Sequence, residues 1–371
     1  MKERHFGDMH FIFPDDGVML TNATGERTER GIRITARLDT ASGKRITLNG
    51  IPMKDEGYGV YSCPVELSSY KTELLAKDEE SGRECKIDVY YLKNAYKKYR
   101  FSLDDNIWFL QNLTLHKDEY ASMFEDPYLA LLKKIHDLHG SKFHVNVYYE
   151  TPRNGGFNLT QMTDKYKAEW KANSDWLRLS FHANADAPAR PYAHTDYDQA
   201  YFECERVHRE ILRFAGKEAL ASYVTTVHCG DCTLESARAF RDLGYRAFLS
   251  SYKKTESGID IRMYLDSEKC EILRQYGFWY DKEEDIIHFK YNGGIQHITP
   301  EQIGPRLDQQ EVDTPNYLFK EICLHEQYFY EEFFLHQKNY FEKLDTSAKW
   351  CKEHGYEPTF MDEIFEFEAK K

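Results

Sequence analysis

The feature that most constrains this chain is a change of periodicity near residue 95. Before it, short runs alternate apolar and polar residues: GIRITARL (31–38), KRITLNG (44–50), GVYSCPVEL (59–67), TELLAKD (72–78) and CKIDVYYL (85–92). Turn formers separate them at Ala41-Ser42-Gly43, Asn49-Gly50, Asp55-Glu56-Gly57 and Ser81-Gly82. A period of two lets each run bury one face, so five or six strands about 8–12 residues apart predict a small antiparallel β-sandwich over 1–95. After it, strand-like runs alternate with capped helical ones. The strands expected are 99–105, 143–150, 176–183, 222–229, 245–252 and 318–326. Between them, helices start at caps such as Thr195/Asp196 and Thr233 and stop at Gly140, Gly216, Gly244, Gly277 and Gly355. Strand–helix alternation requires a parallel sheet, open or closed into a barrel, so an α/β domain is expected over 96–371. Residues 256–292 read as an extended, hairpin-like insertion.

The length of 371 residues agrees with two domains. Composition removes several function classes. With 62 acidic against 49 basic residues the net charge is −13, and the isoelectric point is near 5.6. Such a chain is unsuited to a phosphate backbone or an anionic membrane surface. Mean hydropathy is −0.70, and no apolar run approaches the ~18 residues of a membrane span. The opening MKERHFGDMHFIFP lacks the apolar stretch of a signal peptide. Eight scattered cysteines then imply mostly free thiols and a cytoplasmic protein. Cys229-Gly-Asp-Cys232 is the one close pair, without a second pair to complete a zinc site. Aromatic residues make up 15% of the chain, ample for a core and compatible with flat ligands such as sugars.

Reactive side chains gather at expected strand ends. Asp104-Asp105 closes the first strand of the second region, His182 the third, His228 the fourth and His325-Glu326 the last. In a parallel α/β barrel the C-terminal strand ends share one mouth, so these residues are expected on a common rim. Within WLRLSFHA, Arg178, Ser180 and His182 share one face, opposite Leu177, Leu179 and Phe181. A polar face turned inward needs carboxylates or a metal as partners. His182-Ala-Asn-Ala-Asp186 supplies a carboxylate four residues on, and one carboxylate with two nitrogen or oxygen ligands and a water suits zinc or a similar divalent ion.

Two resemblances follow from these residues. The runs before residue 95 resemble bacterial immunoglobulin-like accessory domains. Ser102-Leu103-Asp104-Asp105 resembles the T-F-D-D motif of polysaccharide deacetylases, the NodB-homology or carbohydrate esterase family four. Ser180-Phe181-His182 followed by Asp186 is similar to that family's metal-binding motif H-[ST]-x-x-H, with Asp186 in place of the second His. Ile322-Cys323-Leu324-His325 resembles its last motif, a hydrophobic strand ending in a catalytic His. The family's R-x-P-x-Y and Asp-Trp motifs are absent; Thr226-Val227-His228 ends the matching strand. The resemblance spans 99 to about 360 and implies a divergent member with a distorted (β/α)7 barrel.

That resemblance implies a metal-dependent hydrolase of carbohydrate that removes N- or O-acetyl groups. It makes Asp105, His182 and Asp186 metal ligands with His228 nearby, Asp104 the base and His325 the acid. Trp108, Tyr149, Arg178 and Tyr192 are candidate substrate contacts, the three aromatic residues lying on or just after the same loops. Two alternatives stay open: a non-catalytic carbohydrate-binding protein on the same barrel, and a glycoside hydrolase pairing Asp104 or Asp105 with Glu326 across a sugar. A dinucleotide enzyme is disfavoured because no G-x-G-x-x-G follows a strand.

Overall fold

The computed structural model describes residues 8–152, 155–250, 252–255, 258–261 and 263–366. The first region holds two five-stranded sheets. One runs His10–Phe13, Ile32–Asp39, Val60–Leu67, Lys54–Gly57, with Glu26–Arg27 also on Ile32–Asp39. The other runs Met19–Leu20, Glu84–Tyr91, Lys71–Asp78, Ile46–Leu48, Ile51–Pro52. Alternation works as expected: along Ile32–Asp39 every second residue, from Ile32 to Leu38, is buried. Asn49 and Gly50 both take positive φ, 50° and 79°, as the two-residue turn joining Ile46–Leu48 to Ile51–Pro52 requires.

Among the described residues the second region contains eight strands in parallel pairings, the eighth, Glu357–Pro358, a short addition to the first. The other seven are β1 (Lys98–Asn106), β2 (Phe143–Tyr148), β3 (Leu177–Ala183), β4 (Val224–Thr225), β5 (Ala247–Ser250), β6 (Ile286–Lys290) and β7 (Phe319–His325). One sheet has the order β3-β2-β1-β7 and the other β4-β5-β6, the latter extended by an antiparallel strand Phe278–Asp281. Single parallel bridges link β3 to the segment before β4, Leu179 to Leu220, and β7 to the segment after β6, Cys323 to Gly294. The stretch expected as an insertion therefore splits. Tyr252–Thr255 and Gly258–Ile261 do pair as a hairpin, but Ile286–Lys290 is a buried strand of the parallel sheet. Its run of Ile286, Ile287, His288 and Phe289 is buried on both sides, so it lacks the alternation that marks a half-exposed strand.

Helices cover these strands, and their ends follow local chemistry. Helix α1 is Trp108–Leu115, and α2 is Pro127–His139, started by the Asp126 side chain and Pro127 and stopped by Gly140 at φ 68°. The long helix Tyr197–Phe214 starts on Asp196, whose carboxylate takes the Gln199 N–H, and Leu234–Asp242 starts on Thr233. Among the described residues no helix is long and apolar enough to cross a membrane. The core is continuous across residue 95. Met19, Tyr90 and Leu92 pack in one cluster with Val224, Phe278 and Phe319. Trp279 reaches back to donate its indole N–H to the Asp16 carbonyl at 2.9 Å.

The space between the parallel strands is polar at its centre. Arg100, fully buried, forms a two-pronged ion pair with Glu321 across β1 and β7, at 2.5 and 3.0 Å. The same guanidinium reaches Thr226 Oγ1 at 3.0 Å and His144 Nδ1 at 3.3 Å. His144 continues to Ser180, Ser180 to Asn146, and Asn146 to Ser102 and Asp104. Burial, reinforced by the Arg100 charge, holds the His144 imidazole well below its ordinary range, so it serves as a neutral relay. Arg100→Met leaves Glu321 buried without a counter-charge. Removing one partner of such a pair costs roughly 3–5 kcal/mol, which equilibrium denaturant unfolding will detect as a lowered midpoint.

Candidate active site

The same alternation that places Arg178, Ser180 and His182 on one face recurs in three neighbouring strands. It aligns Arg100, Ser102 and Asp104 on β1, His144, Asn146 and Tyr148 on β2, and Glu321, Cys323 and His325 on β7. The C-terminal members of these rows converge. Asp104 lies in register with His325. Asp105 has the opposite parity, but the β1–β2 register shifts between Leu103 and Asn106 and Asp105 adopts φ 61°. With this left-handed turn, uncommon for a residue with a Cβ, the second carboxylate meets His182 and His228 while the first meets Cys323 and Asn146.

Three ligand atoms form a small triangle there. His182 Nε2 stands 3.0 Å from Asp105 Oδ1. His228 Nδ1 is 3.2 Å from that oxygen and 3.2 Å from His182 Nε2. The Nδ1 of His182 faces the Thr226 carbonyl, which can only accept, so Nδ1 carries a proton; Nε2 either donates a second proton to Asp105 or, in the neutral ring, presents a lone pair to the triangle. With the ring neutral, two acceptors, Nε2 and a carboxylate oxygen, face one another and need a proton or a cation between them. Ligands about 2.0–2.2 Å from a tetrahedral zinc ion stand roughly 3.3–3.6 Å apart, close to the sides of this triangle. The residues present thus fit a divalent ion with two imidazoles and one carboxylate.

Without an ion, a protonated His228 supplies positive charge beside the Asp105 carboxylate, and an ion would take the place of that proton. Burial alone would raise the Asp105 carboxyl, but hydrogen bonds from His182 and His228 and the charge of His325 hold it well below the usual range. Burial would lower the His228 imidazole, but its bonds to Asp105 and Cys229 raise it to about 10. Gln327 Nε2 donates to Asp105 Oδ2 at 2.6 Å, and Tyr148 donates its hydroxyl to Oδ1 and meets His228 Nδ1 at 3.0 Å. Asp104 is anchored differently. Its Oδ1 accepts from Asn146 at 2.7 Å and Ser102 at 3.1 Å, while Oδ2 accepts from the Cys323 thiol at 3.4 Å.

A cleft of about 560 Å³ opens on Asp105 and is lined by Trp108, Tyr148, Glu150, Asp186, Gln327 and Phe333, among others. Asp186 thus faces the same space as Asp105 but stands outside the three-residue group, where His228 takes the third position. His325 is beside the group, with Nε2 4.0 Å from Asp105 Oδ2. Trp108 lies on the cleft wall, its ring 5.0 Å from Tyr330 and 6.2 Å from Phe333.

Three candidate contacts are placed elsewhere. Tyr149 lies under the Arg206 guanidinium, 3.9 Å from its ring centre, while its neighbour Tyr148 turns inward. Arg178 sits at the opposite end of β3, paired with Asp362 at 2.9 Å and stacked on Phe360. Tyr192 is fully buried among Phe181 and Phe240 and donates to Glu203 at 2.8 Å. Tyr148 was legible from the parity of His144 and Asn146; Gln327 lies beyond the strand and carries no such signal.

Glu326 is also committed. Its two oxygens accept the N–H groups of Ile107 at 2.6 Å, Trp108 at 3.0 Å and Phe109 at 2.6 Å, capping α1 from β7, and the Tyr330 hydroxyl adds a fourth donor at 2.8 Å. Burial pushes its carboxyl up to about 7, yet no face of it is left for a sugar. The pairing of Glu326 with Asp104 or Asp105 for glycoside cleavage is therefore not supported by this geometry.

No family profile and no curated protein sequence matches the chain. Among solved structures, it is similar to a peptidoglycan N-acetylglucosamine deacetylase at 10% identity and a TM-score of 0.41, over 73% of this chain and 88% of that one. It is also similar to a 4-alpha-glucanotransferase from Thermococcus litoralis at 12% identity and a TM-score of 0.44, over 72% of this chain and 39% of the other. The triangle makes a direct forecast. His182→Ala and His228→Ala will each weaken the first zinc-binding event by more than about 100-fold, since loss of even a supporting residue costs 10–100-fold. Asp186→Ala will leave that event intact, as isothermal titration calorimetry on metal-free protein can show.

Proposed function

We propose that the protein is a metal-dependent hydrolase that removes N- or O-acetyl groups from a poly- or oligosaccharide. We take β1 to β7 as the strands of a distorted (β/α)7 barrel and residues 1–95 as an immunoglobulin-like accessory domain. The observation that carries the reading is the convergence of His182 Nε2, His228 Nδ1 and Asp105 Oδ1 beside Asp104 and His325. Asp105, His182 and His228 would hold a divalent ion, zinc by the nature of the donors, and it would supply Lewis-acid polarisation of an acyl carbonyl and acidification of water.

The remaining chemistry belongs to the chain's own groups. Asp104 is the base: Asn146 and Ser102 fix its orientation through Oδ1, and Oδ2, which accepts from the weakly donating Cys323 thiol, takes the proton. His325, on the far side of Asp105, gives a proton to the departing amine or alcohol. Tyr148 and Gln327 keep the Asp105 carboxylate in position. Trp108 and Phe333 offer an apolar wall to a sugar ring. Glu150, Asp186 and Glu332 make the cleft acidic, which favours neutral or amino sugars over uronic acids.

Asp104→Asn preserves size and removes basicity. Acetate release from acetylated neutral or amino oligosaccharides should fall by about 10²–10⁴, with the bound metal and the unfolding midpoint retained. Full activity in Asp104→Asn removes the proposed base. Metal-loaded wild type that releases no acetate from a broad panel of such sugars overturns the reading in favour of a binding protein.

A further inference from the structure

A second set of ligand-bearing side chains stands next to the first. One ligand atom each from Asp104, Cys323 and His325 lies within 4.8 Å of the others. Their arrangement follows from strand pairing: Asp104 is opposite His325 across β1 and β7, and Cys323, two residues before His325, shares its face. Asp104 and Cys323 are 5% and 2% exposed. Both line a cavity of about 190 Å³, together with His325 and with His182 and His228 of the first group. A water occupies about 30 Å³, so an ion and several waters fit.

Two polar atoms at this cavity are unanswered. His325 Nδ1 and Gln296 Oε1 are buried and have no hydrogen-bond partner among the described residues. Each such atom costs free energy that a partner would recover. A hydrated cation answers both, one by direct ligation or repositioning of the imidazole, the other through a bound water. The acyl-transfer chemistry assigned above has no use for a thiol at residue 323, whereas thiolate, imidazole and carboxylate together are a ligand set for zinc-like ions.

We propose that Asp104, Cys323 and His325 form a second site for a thiophilic divalent ion such as zinc. On binding, the S–H bond of Cys323 breaks heterolytically, its proton leaves to solvent and the sulfur lone pair ligates the ion; no electron changes hands. One consequence rests on the hydrolase reading: the site takes up both the base and the acid, so a second zinc equivalent inhibits what the first activates.

Cobalt(II) is the probe, because a thiolate ligand adds a charge-transfer band that nitrogen and oxygen ligands lack. Titrated into metal-free protein, the first equivalent fills Asp105, His182 and His228 without that band, and the second brings it in. Cys323→Ser loses the band yet still binds the first equivalent, which shows that the variant is folded; if it is not, His325→Gln is read in its place with the same expectation. His182→Ala loses the first event and keeps the band, and Cys229→Ser keeps both. Absence of the band at two equivalents overturns the proposal, as does a band that disappears in Cys229→Ser but survives in Cys323→Ser. The readout does not depend on catalysis. A protein that shows the band but releases no acetate at any zinc level refutes the hydrolase reading alone. One that releases acetate and shows no band refutes the second site alone.

Discussion

The buried pair Arg100–Glu321 organises the interior on which the rest depends. A guanidinium and a carboxylate with no exposed surface tolerate that position only because their hydrogen bonds are nearly all satisfied. Arg100 uses further donors on His144, Ser102 and Thr226, which belong to β2, β1 and the segment after β4. One side chain thereby ties together strands from both parallel sheets. The chain of bonds then climbs through Ser180 and Asn146 to Asp104, so the orientation of the proposed base is inherited from an ion pair deep below it. Neutral His144 is part of that economy, since a second cation beside Arg100 would repel it.

Two local devices convert this interior into a site. The first is the left-handed Asp105, which breaks the two-residue period at the strand end so that adjacent carboxylates serve different partners. Strain of that kind persists where the surroundings over-determine it, and here Tyr148, His182, His228 and Gln327 all hold the Asp105 carboxylate. The second is Glu326, which caps α1 across the mouth from β7. It fixes the turn that carries Trp108 to the cleft wall, so the aromatic wall and the ligand group are aligned by the same strand end.

Much of this was legible because it depends on period. Alternation identified most of the strands on both sides of residue 95, capping residues bounded the helices at Asp196, Thr233 and Gly140, and strand-end position picked out Asp104, Asp105, His182 and His325; His228, expected to close a strand over 222–229, instead lies in a turn beyond the shorter Val224–Thr225. The same rule, applied to His144 and Asn146, points to Tyr148 rather than Tyr149. Where period is absent the reading fails: β6 is buried on both faces and shows no alternation, β4 is only two residues long, and Gln327 follows its strand.

What the sequence determined by itself is which residues could meet, since parity and strand order depend only on local backbone geometry and on the need to bury apolar faces. Which of them do meet was decided by the tertiary structure. His228 rather than Asp186 completes the triangle, Glu326 is spent on a helix end, and Tyr192 and Arg178 are bound to Glu203 and Asp362. The physical reason is that hydrogen bonds and ion pairs act over about 3 Å, and distances of that size between residues far apart in the chain are set by packing, not by spacing along it.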